Sequence, residues 1–81
     1  MDTTQEIYTD QIKLPANNMR EHIDRDEIFE LAQDIKKNGL INPIMIRPLP
    51  DGYELVAGQR RYLAHQVAGI IKIKCVIRAL S

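Results

Sequence analysis

Hydrophobic residues recur at helical spacing in the segment from Asp24 to Asn38. Asp24 is a favourable N-cap residue, and Glu27, three positions later, completes the pattern of a capping box. One face of the segment carries Ile28, Leu31, Ala32 and Ile35. The pattern predicts an amphipathic helix over residues 25–38.

The flanks of this helix carry their own signals. Ile23 and Ile28 occupy the two positions of a hydrophobic staple at its start. At its end, Gly39 is expected to adopt the left-handed conformation, with Leu40 packing back on Ile35. Both ends agree with the bounds that the hydrophobic pattern gives.

Two apolar runs later in the chain predict a hairpin, and a second helix follows them. Residues 43–47 and 53–57 are joined by a Pro-Asp-Gly turn, which favours antiparallel pairing. Gly58 and Gly69 bracket the next amphipathic segment, so we expect a helix between them. Its core face is expected to consist of Leu63, Ala64 and Val67.

The end of the chain alternates between apolar and basic residues, as in a strand with one buried face. The apolar positions are Ile71, Ile73, Cys75 and Ile77. The opposite positions are Lys72, Lys74 and Arg78. We interpret this basic side as the solvated face of an edge strand, with contact to a DNA backbone as the alternative.

The start of the chain completes a small α+β domain. Residues 4–9 form a candidate strand, followed by a turn over 10–12 and an irregular segment over 13–20 that is rich in Pro and Asn. The order strand, helix, hairpin, helix, strand predicts a small mixed sheet with two or more helices. We treat residues 1–81 as one domain, because a chain of this length holds one modest core.

Charge balance and cysteine content limit the classes of function. The formal net charge is zero, so no overall field draws the chain to nucleic acid or to an anionic membrane. Cys75 is the single cysteine, which excludes an internal disulfide and agrees with a reducing compartment. Residues 1–10 lack the pattern of a signal peptide, and no apolar run approaches the roughly 20 residues of a membrane span. We therefore expect a cytoplasmic protein without a membrane partner.

The histidines and the cysteine have structural explanations. His22 and His65 lie far apart and lack further ligands at zinc-binding spacing, so we predict that they form no zinc site. His65 is expected to be exposed or to cap the second helix. Cys75 lies on the apolar side of the last strand and is predicted to be a buried core residue.

Two arginines stand where the second helix is predicted to begin. Arg60 and Arg61 follow shortly after Gly58, and exposed cations in a first turn oppose the helix dipole at about 0.3–1 kcal/mol each. Such departures are typical of functional positions. Outward N–H groups, a glycine that permits close approach and two guanidinium groups together favour a phosphate site. Alternatively, both arginines are solvated or pair with Glu54 or Asp51.

Three segments resemble the ParB family of chromosome- and plasmid-partition proteins. The arginine box of that family, G-E-R-R-x-x-A, is matched by LVAGQRRYLA at 55–64. Its G-x-x-Q-P-I segment is matched by NGLINPI at 38–44, and its N-P-x-Q-P-R box is matched more loosely by residues 15–20. The resemblance covers nearly the whole chain and implies the ParB/sulfiredoxin-like fold.

The resemblance also implies a nucleotide site and a partition function. In the family, the arginine box holds the triphosphate of CTP beside a magnesium ion, and nucleotide binding closes two subunits into a clamp on DNA. Carried over, the nucleotide-binding residues at the helix start are Gly58, Gln59, Arg60 and Arg61. Arg20 is expected to approach the nucleotide from the first box. The base and sugar are expected to contact Gly39, Leu40, Ile41 and Asn42.

The sequence departs from the family pattern in two places. Gln59 stands where the family has glutamate, and a neutral amide is a poor magnesium ligand because this hard cation favours anionic oxygen. We therefore expect nucleotide binding with, at most, weak triphosphatase activity. The family also continues into an E-N-x-Q-R box and a helix-turn-helix domain beyond these residues, so DNA contact is expected only through other domains.

Two other classes of function stay open from the sequence. An enzyme of the same fold, a nuclease or a nucleotide-dependent kinase, needs a carboxylate base near the arginines, for which Glu21 and Glu54 are candidates. A protein-interaction module with a decayed pocket is the second, and Gln59 favours it. Sulfiredoxin chemistry is disfavoured, because residues 57–59 offer no thiol where sulfiredoxin has its reactive cysteine.

Overall fold

A computed structural model describes residues 3–15, 24–39 and 42–79, and these ranges hold five strands and two α-helices. The elements are β1 (Thr3–Tyr8), β2 (Ile12–Lys13), α1 (Arg25–Asn38), β3 (Ile44–Leu49), β4 (Gly52–Ala57), α2 (Gln59–Ala68) and β5 (Lys72–Ile77). The predicted α+β class and the predicted bounds of the first helix are confirmed. No helix in the described ranges is both long and apolar enough to cross a membrane.

The ends of α1 follow from its sequence signals. The Asp24 carboxylate accepts a hydrogen bond of 2.9 Å from the backbone N–H of Asp26, as expected of an N-cap. Gly39 has the predicted positive φ of 79°, but its ψ of 171° lies outside the left-handed helical region, so that prediction was wrong. Ile23 and Leu40, predicted to pack across the two helix ends, lie outside the described residues.

The five strands form one mixed sheet in the order β1-β5-β3-β4-β2. β5 runs antiparallel to β1 and parallel to β3, and β4 runs antiparallel to β3 and parallel to β2. β5 is therefore an interior strand, and its predicted place at the sheet edge was wrong. Its alternation is confirmed at Ile73 and Cys75, which are buried, whereas Ile71 precedes the strand and is 66% exposed.

The sheet curls so that its two edge strands come close together. β1 and β2 lie at opposite edges, yet only the three residues Thr9–Gln11 separate them along the chain. Because a connection of three residues spans only a short distance, the end of β1 and the start of β2 must lie close together. The enclosed core consists of Ile7, Ile12, Ile44, Ile46, Leu55, Tyr62, Ile73 and Cys75. The sequence predicted the end of a turn at Ile12 and the start of an irregular segment at Lys13 in place of β2, because a strand of two residues is too short to show alternation.

Tyr62 ties α2 to the connection between the two edge strands. Its hydroxyl lies 3.3 Å from the carbonyl oxygen of Thr9 and 3.1 Å from that of Ile12, so one O–H group serves both acceptors. The same oxygen accepts a hydrogen bond of 3.0 Å from the Gln66 side chain. The buried ring thereby fixes which face of α2 lies against the sheet.

The buried surface of α2 differs from the predicted face. Tyr62 packs into the sheet core, Ala64 packs against α1, and the partly buried Leu63 contacts both clusters. Val67 is 56% exposed, so its prediction as a core residue was wrong. Because α2 packs against the sheet on one side and against α1 on another, it buries neighbouring positions along the chain. A prediction that assumes a single apolar face does not describe such a helix.

His65 is buried, contrary to the prediction that it is exposed or a cap. Only 3% of its surface is exposed, and its Nδ1 lies 2.8 Å from the carbonyl oxygen of Arg61. A carbonyl only accepts hydrogen bonds, so Nδ1 carries the proton. Burial lowers the pKa of His65, because the charged imidazolium loses its hydration.

Replacing Tyr62 by phenylalanine tests the tie between α2 and the sheet edges. The change leaves the buried carbonyl oxygen of Ile12 and the partly buried one of Thr9 without this donor, so we expect the free energy of unfolding to fall by about 1–3 kcal/mol. Tyr8→Phe is the matched control, because the Tyr8 side chain is half-exposed and should tolerate the loss of its hydroxyl. Equal denaturation midpoints for wild type and Tyr62→Phe would contradict the tie.

The burial of His65 predicts a pH-dependent stability. The ordinary pKa of 6.5 applies in the unfolded chain, and the folded value is lower, so the folded state binds fewer protons below pH 6.5. The free energy of unfolding should therefore decrease as the pH falls below that value. In His65→Asn, whose amide N–H can replace the Nδ1 donor, the decrease should be smaller. If the free energy of unfolding, measured by urea titration, falls equally with pH in the wild type and in His65→Asn, His65 does not contribute to the pH dependence of stability.

Candidate functional site

Position 58, directly before α2, requires glycine for two reasons, a steric contact and the backbone conformation. Its φ of 100° lies in the region that favours glycine. A Cβ atom at this position would lie 2.7 Å from Cγ2 of Ile44 in β3, closer than real Cβ contacts come. The glycine therefore lets the start of α2 sit directly on the sheet, independently of any ligand.

The first turn of α2 opens onto a cavity of ≈ 350 Å³ lined by Gly58, Gln59, Arg60 and Arg61. The first intrahelical hydrogen bond runs from the N–H of Tyr62 to the carbonyl oxygen of Gly58. The N–H groups of the residues between them have no partner within the helix ladder, as at every helix start. The structure thus brings together the four residues predicted at this helix start, around a polar space suited to an anion.

Arg61 supports the polypeptide around the site. Its Nη1 donates hydrogen bonds to the carbonyl oxygens of Asn42 at 3.1 Å and Pro43 at 2.8 Å. These bonds occupy both N–H groups of Nη1 and leave the other three donors of the guanidinium. Arg61 therefore fixes the segment that leads into β3, a role that the sequence did not reveal.

Arg60 is the more accessible of the two arginines. Its Nη1 lies 3.5 Å from Oε2 of Glu27, in the first turn of α1. The side chains are 50% and 56% exposed, respectively, so water reaches both partners. The first turns of α1 and α2 therefore meet at this ion pair. Sequence reasoning had assigned Glu27 only to helix capping, and no local signal connects it with Arg60.

The acidic partners considered for these arginines are engaged by other cations. Glu54 accepts a hydrogen bond of 2.7 Å from Nε of Arg47, across the β3–β4 hairpin. Asp51 pairs with Lys13 at 2.8 Å, and this hydrogen bond and the positive charge lower the pKa of Asp51. The predicted alternative of pairing with Glu54 or Asp51 was therefore wrong.

Gln59 carries an unsatisfied group at the edge of the cavity. Its Oε1 is buried and has no hydrogen-bond partner among the residues that the structure describes. A buried amide oxygen without a donor costs about 1–3 kcal/mol, so an incoming N–H or O–H group would be stabilised there. Among the described residues, no cluster of three or more acidic, histidine or cysteine side chains could hold a metal ion.

The remaining predicted nucleotide contacts are only partly described. Asn42 reaches the site through its backbone carbonyl, which Arg61 contacts. Gly39 lines a separate cavity of ≈ 190 Å³ that His65 also lines. Arg20, Leu40 and Ile41 lie outside the described residues, as do His22 and Glu21.

Cys75 is a core residue, as predicted. Its side chain is fully buried, and burial raises the pKa of its thiol to about 11. The thiol lies 3.3 Å from the carbonyl oxygen of Ile73 in the same strand. A thiol in this state is a poor nucleophile, because the reactive form is the thiolate.

Replacing Gly58 by alanine measures the steric role of this glycine. The new Cβ would meet Ile44, so we expect a greater loss of stability than the roughly 1–2 kcal/mol of a positive φ alone. Gly69→Ala is the matched control, because Gly69 ends the same helix at a φ of 73° with nothing within 4 Å of its added Cβ. Thermal melts that give the same loss for both variants would rule out the contact with Ile44.

Comparison with known proteins places the chain in a family. The family model described as the ParB N-terminal domain matches residues 1–81. A probable chromosome-partitioning protein ParB of Coxiella burnetii is 42% identical over 62 residues, which are 76% of this chain and 21% of that protein. The chain spans between 21% and 26% of the length of the first three curated relatives that it matches.

Two solved structures show the same fold. A C-terminally truncated ParB of Caulobacter crescentus, complexed with CTP-gamma-S, superposes with a TM-score of 0.87 at 28% identity, covering 98% of this chain and 46% of that one. Sulfiredoxin of Arabidopsis thaliana superposes with a TM-score of 0.83 at 31% identity, covering 96% and 86% of the two chains. Together with the match of the family model over residues 1–81 of this chain, these findings confirm the predicted resemblance: the chain belongs to the ParB N-terminal domain family and has the ParB/sulfiredoxin-like fold.

Proposed function

We propose that this domain binds a nucleoside triphosphate, with CTP as the first candidate, in the service of chromosome or plasmid partition. The observation that carries the proposal is the half-exposed Arg60 beside the outward N–H groups at the start of α2. Family membership supports it, because the matched relatives are named partitioning proteins. The Caulobacter relative with the same fold was solved with a CTP analogue.

Within the proposed site, the two arginines have different roles. Arg60 offers paired N–H donors to phosphate oxygens, because its side chain is accessible from water. Arg61 adds positive charge while it holds the segment before β3 in place. Gly58 contributes through its backbone, because its missing side chain serves the contact with Ile44 that seats the helix start on the sheet. We assign the base and sugar to the segment of Gly39, Leu40, Ile41 and Asn42, and a further phosphate or sugar contact to Arg20.

The donor set at this site fits an anion better than a magnesium ion. The one side chain that replaces the family's glutamate, Gln59, offers a neutral amide oxygen, and no acidic cluster lies among the described residues. Magnesium favours anionic oxygen ligands. We infer that the phosphate charge is neutralised chiefly by arginine and helix N–H groups, so that binding depends only weakly on magnesium. Hydrolysis of the triphosphate is then slow or absent.

Self-association and DNA contact belong to the same proposal. The Caulobacter relative was also solved bound to the centromeric parS site. This chain has a formal net charge of zero, so we do not expect it to bind DNA specifically by itself. We assign DNA contact to the parts of the relatives that lie outside the matched region. Nucleotide binding would then act by promoting association of two copies of the domain.

The enzymatic alternatives gain no support from the described residues. Glu54, a candidate base, is engaged by Arg47 on the hairpin. Cys75, the single thiol, is buried with a raised pKa, which disfavours sulfiredoxin-like chemistry. The binding function therefore remains the better proposal.

Replacing Arg60 by alanine tests the phosphate site. A charge-assisted hydrogen bond contributes roughly 1.5–3 kcal/mol, so its loss should weaken binding by about tenfold or more. Arg60→Lys keeps the charge but loses the forked donors, and should give an intermediate affinity. The measurement is isothermal titration with the four ribonucleoside triphosphates, with and without magnesium, at fixed salt.

Arg25→Ala is the matched control for this titration. It removes the same charge from an exposed residue that lines a different cavity, so it should bind CTP like the wild type. If Arg60→Ala also binds like the wild type, the phosphates do not lie at the start of α2. If the wild type binds none of the four nucleotides, the interaction-module alternative is favoured.

A further inference from the structure

We propose that Glu27 is a built-in competitor for the phosphate at Arg60. The carboxylate of Glu27 lies 3.5 Å from the guanidinium that the proposed function assigns to a phosphate group. A carboxylate and a phosphate oxygen make the same kind of charge-assisted contact with arginine. The inference rests on the proposed function and concerns how the affinity of that site is set.

The position of Glu27 is fixed by helix packing and does not depend on the ion pair. Ile28, the next residue along α1, is buried against α2 in a cluster that includes Ala32 and Ala64. Because this apolar contact holds the helices together, the carboxylate stays near Arg60 even when the ion pair is broken. Glu27 therefore presents a high local concentration of a competing anion.

The ion pair is weak enough for a ligand to displace it. Both side chains are at least half exposed, and exposed pairs are screened by water and salt. A triphosphate also gains contacts with Arg61 and the helix N–H groups, which one carboxylate on α1 cannot make at the same time. Ligand binding should therefore release Glu27 from Arg60 and remove a contact between α1 and α2.

The test is isothermal titration of CTP into Glu27→Gln, which removes the charge but keeps the shape of the side chain. Asp26→Asn is the matched control, because Asp26 lies in the same turn and is also exposed. Both variants remove one negative charge near the site, so their difference isolates the contact with Arg60. We expect Glu27→Gln to bind CTP about two- to fivefold more tightly than Asp26→Asn, the range for an exposed ion pair.

A double variant ties the effect to Arg60. Adding Glu27→Gln to Arg60→Ala should give no gain in affinity beyond that of Asp26→Asn in the same background, because the competing pair no longer exists. A gain that persists without Arg60 would mean that Glu27 acts through its long-range charge alone, and would overturn the inference.

The outcomes separate this inference from the proposed function. If Glu27→Gln and Asp26→Asn bind equally while Arg60→Ala loses affinity, the function stands and Glu27 is no competitor. If Glu27→Gln binds more weakly than Asp26→Asn, Glu27 orients Arg60 for the ligand, and the inference is also wrong. If neither the wild type nor any variant binds CTP, the proposed function fails and this inference fails with it.

Discussion

The short connection between the edge strands is the constraint on which the rest of the molecule depends. With three residues between β1 and β2, the sheet can form only if it curls and encloses its core. The side chain of Tyr62 bonds to this connection and sets the rotation of α2 about its axis. Contact between Gly58 and Ile44 then seats the start of the helix on the sheet. The orientation of the arginine cavity is a consequence of these packing requirements.

In the proposed site, the two adjacent arginines have separate roles, one in supporting the fold and one in binding the phosphate. Arg61 satisfies two carbonyl groups that would otherwise need water, and it anchors the segment before β3. Arg60 is half-exposed beside Glu27, so water and dissolved ions reach this ion pair. Separate roles of this kind mean that a loss of binding on substitution has different causes at the two positions, one through the ligand and one through the scaffold.

Local signals predicted the elements, but not how the elements face one another. Helix 25–38 and the start of the second helix could be placed because caps, glycines and hydrophobic spacing act within a few residues. The burial of His65 and the exposure of Val67 depend on α2 being held between the sheet and α1, which is a tertiary contact. The partner of Arg60 could not be found for the same reason, since Glu27 is 33 positions away along the chain.

The buried thiol of Cys75 gives the domain an internal indicator of its own unfolding. It is the single cysteine, lies in an interior strand of the curled sheet, and has a pKa of about 11. Thiol reagents attack the thiolate and need direct access, so the folded domain resists them near neutral pH. Labelling then proceeds only through molecules that have opened, and its rate reports the population of the open state in the native ensemble.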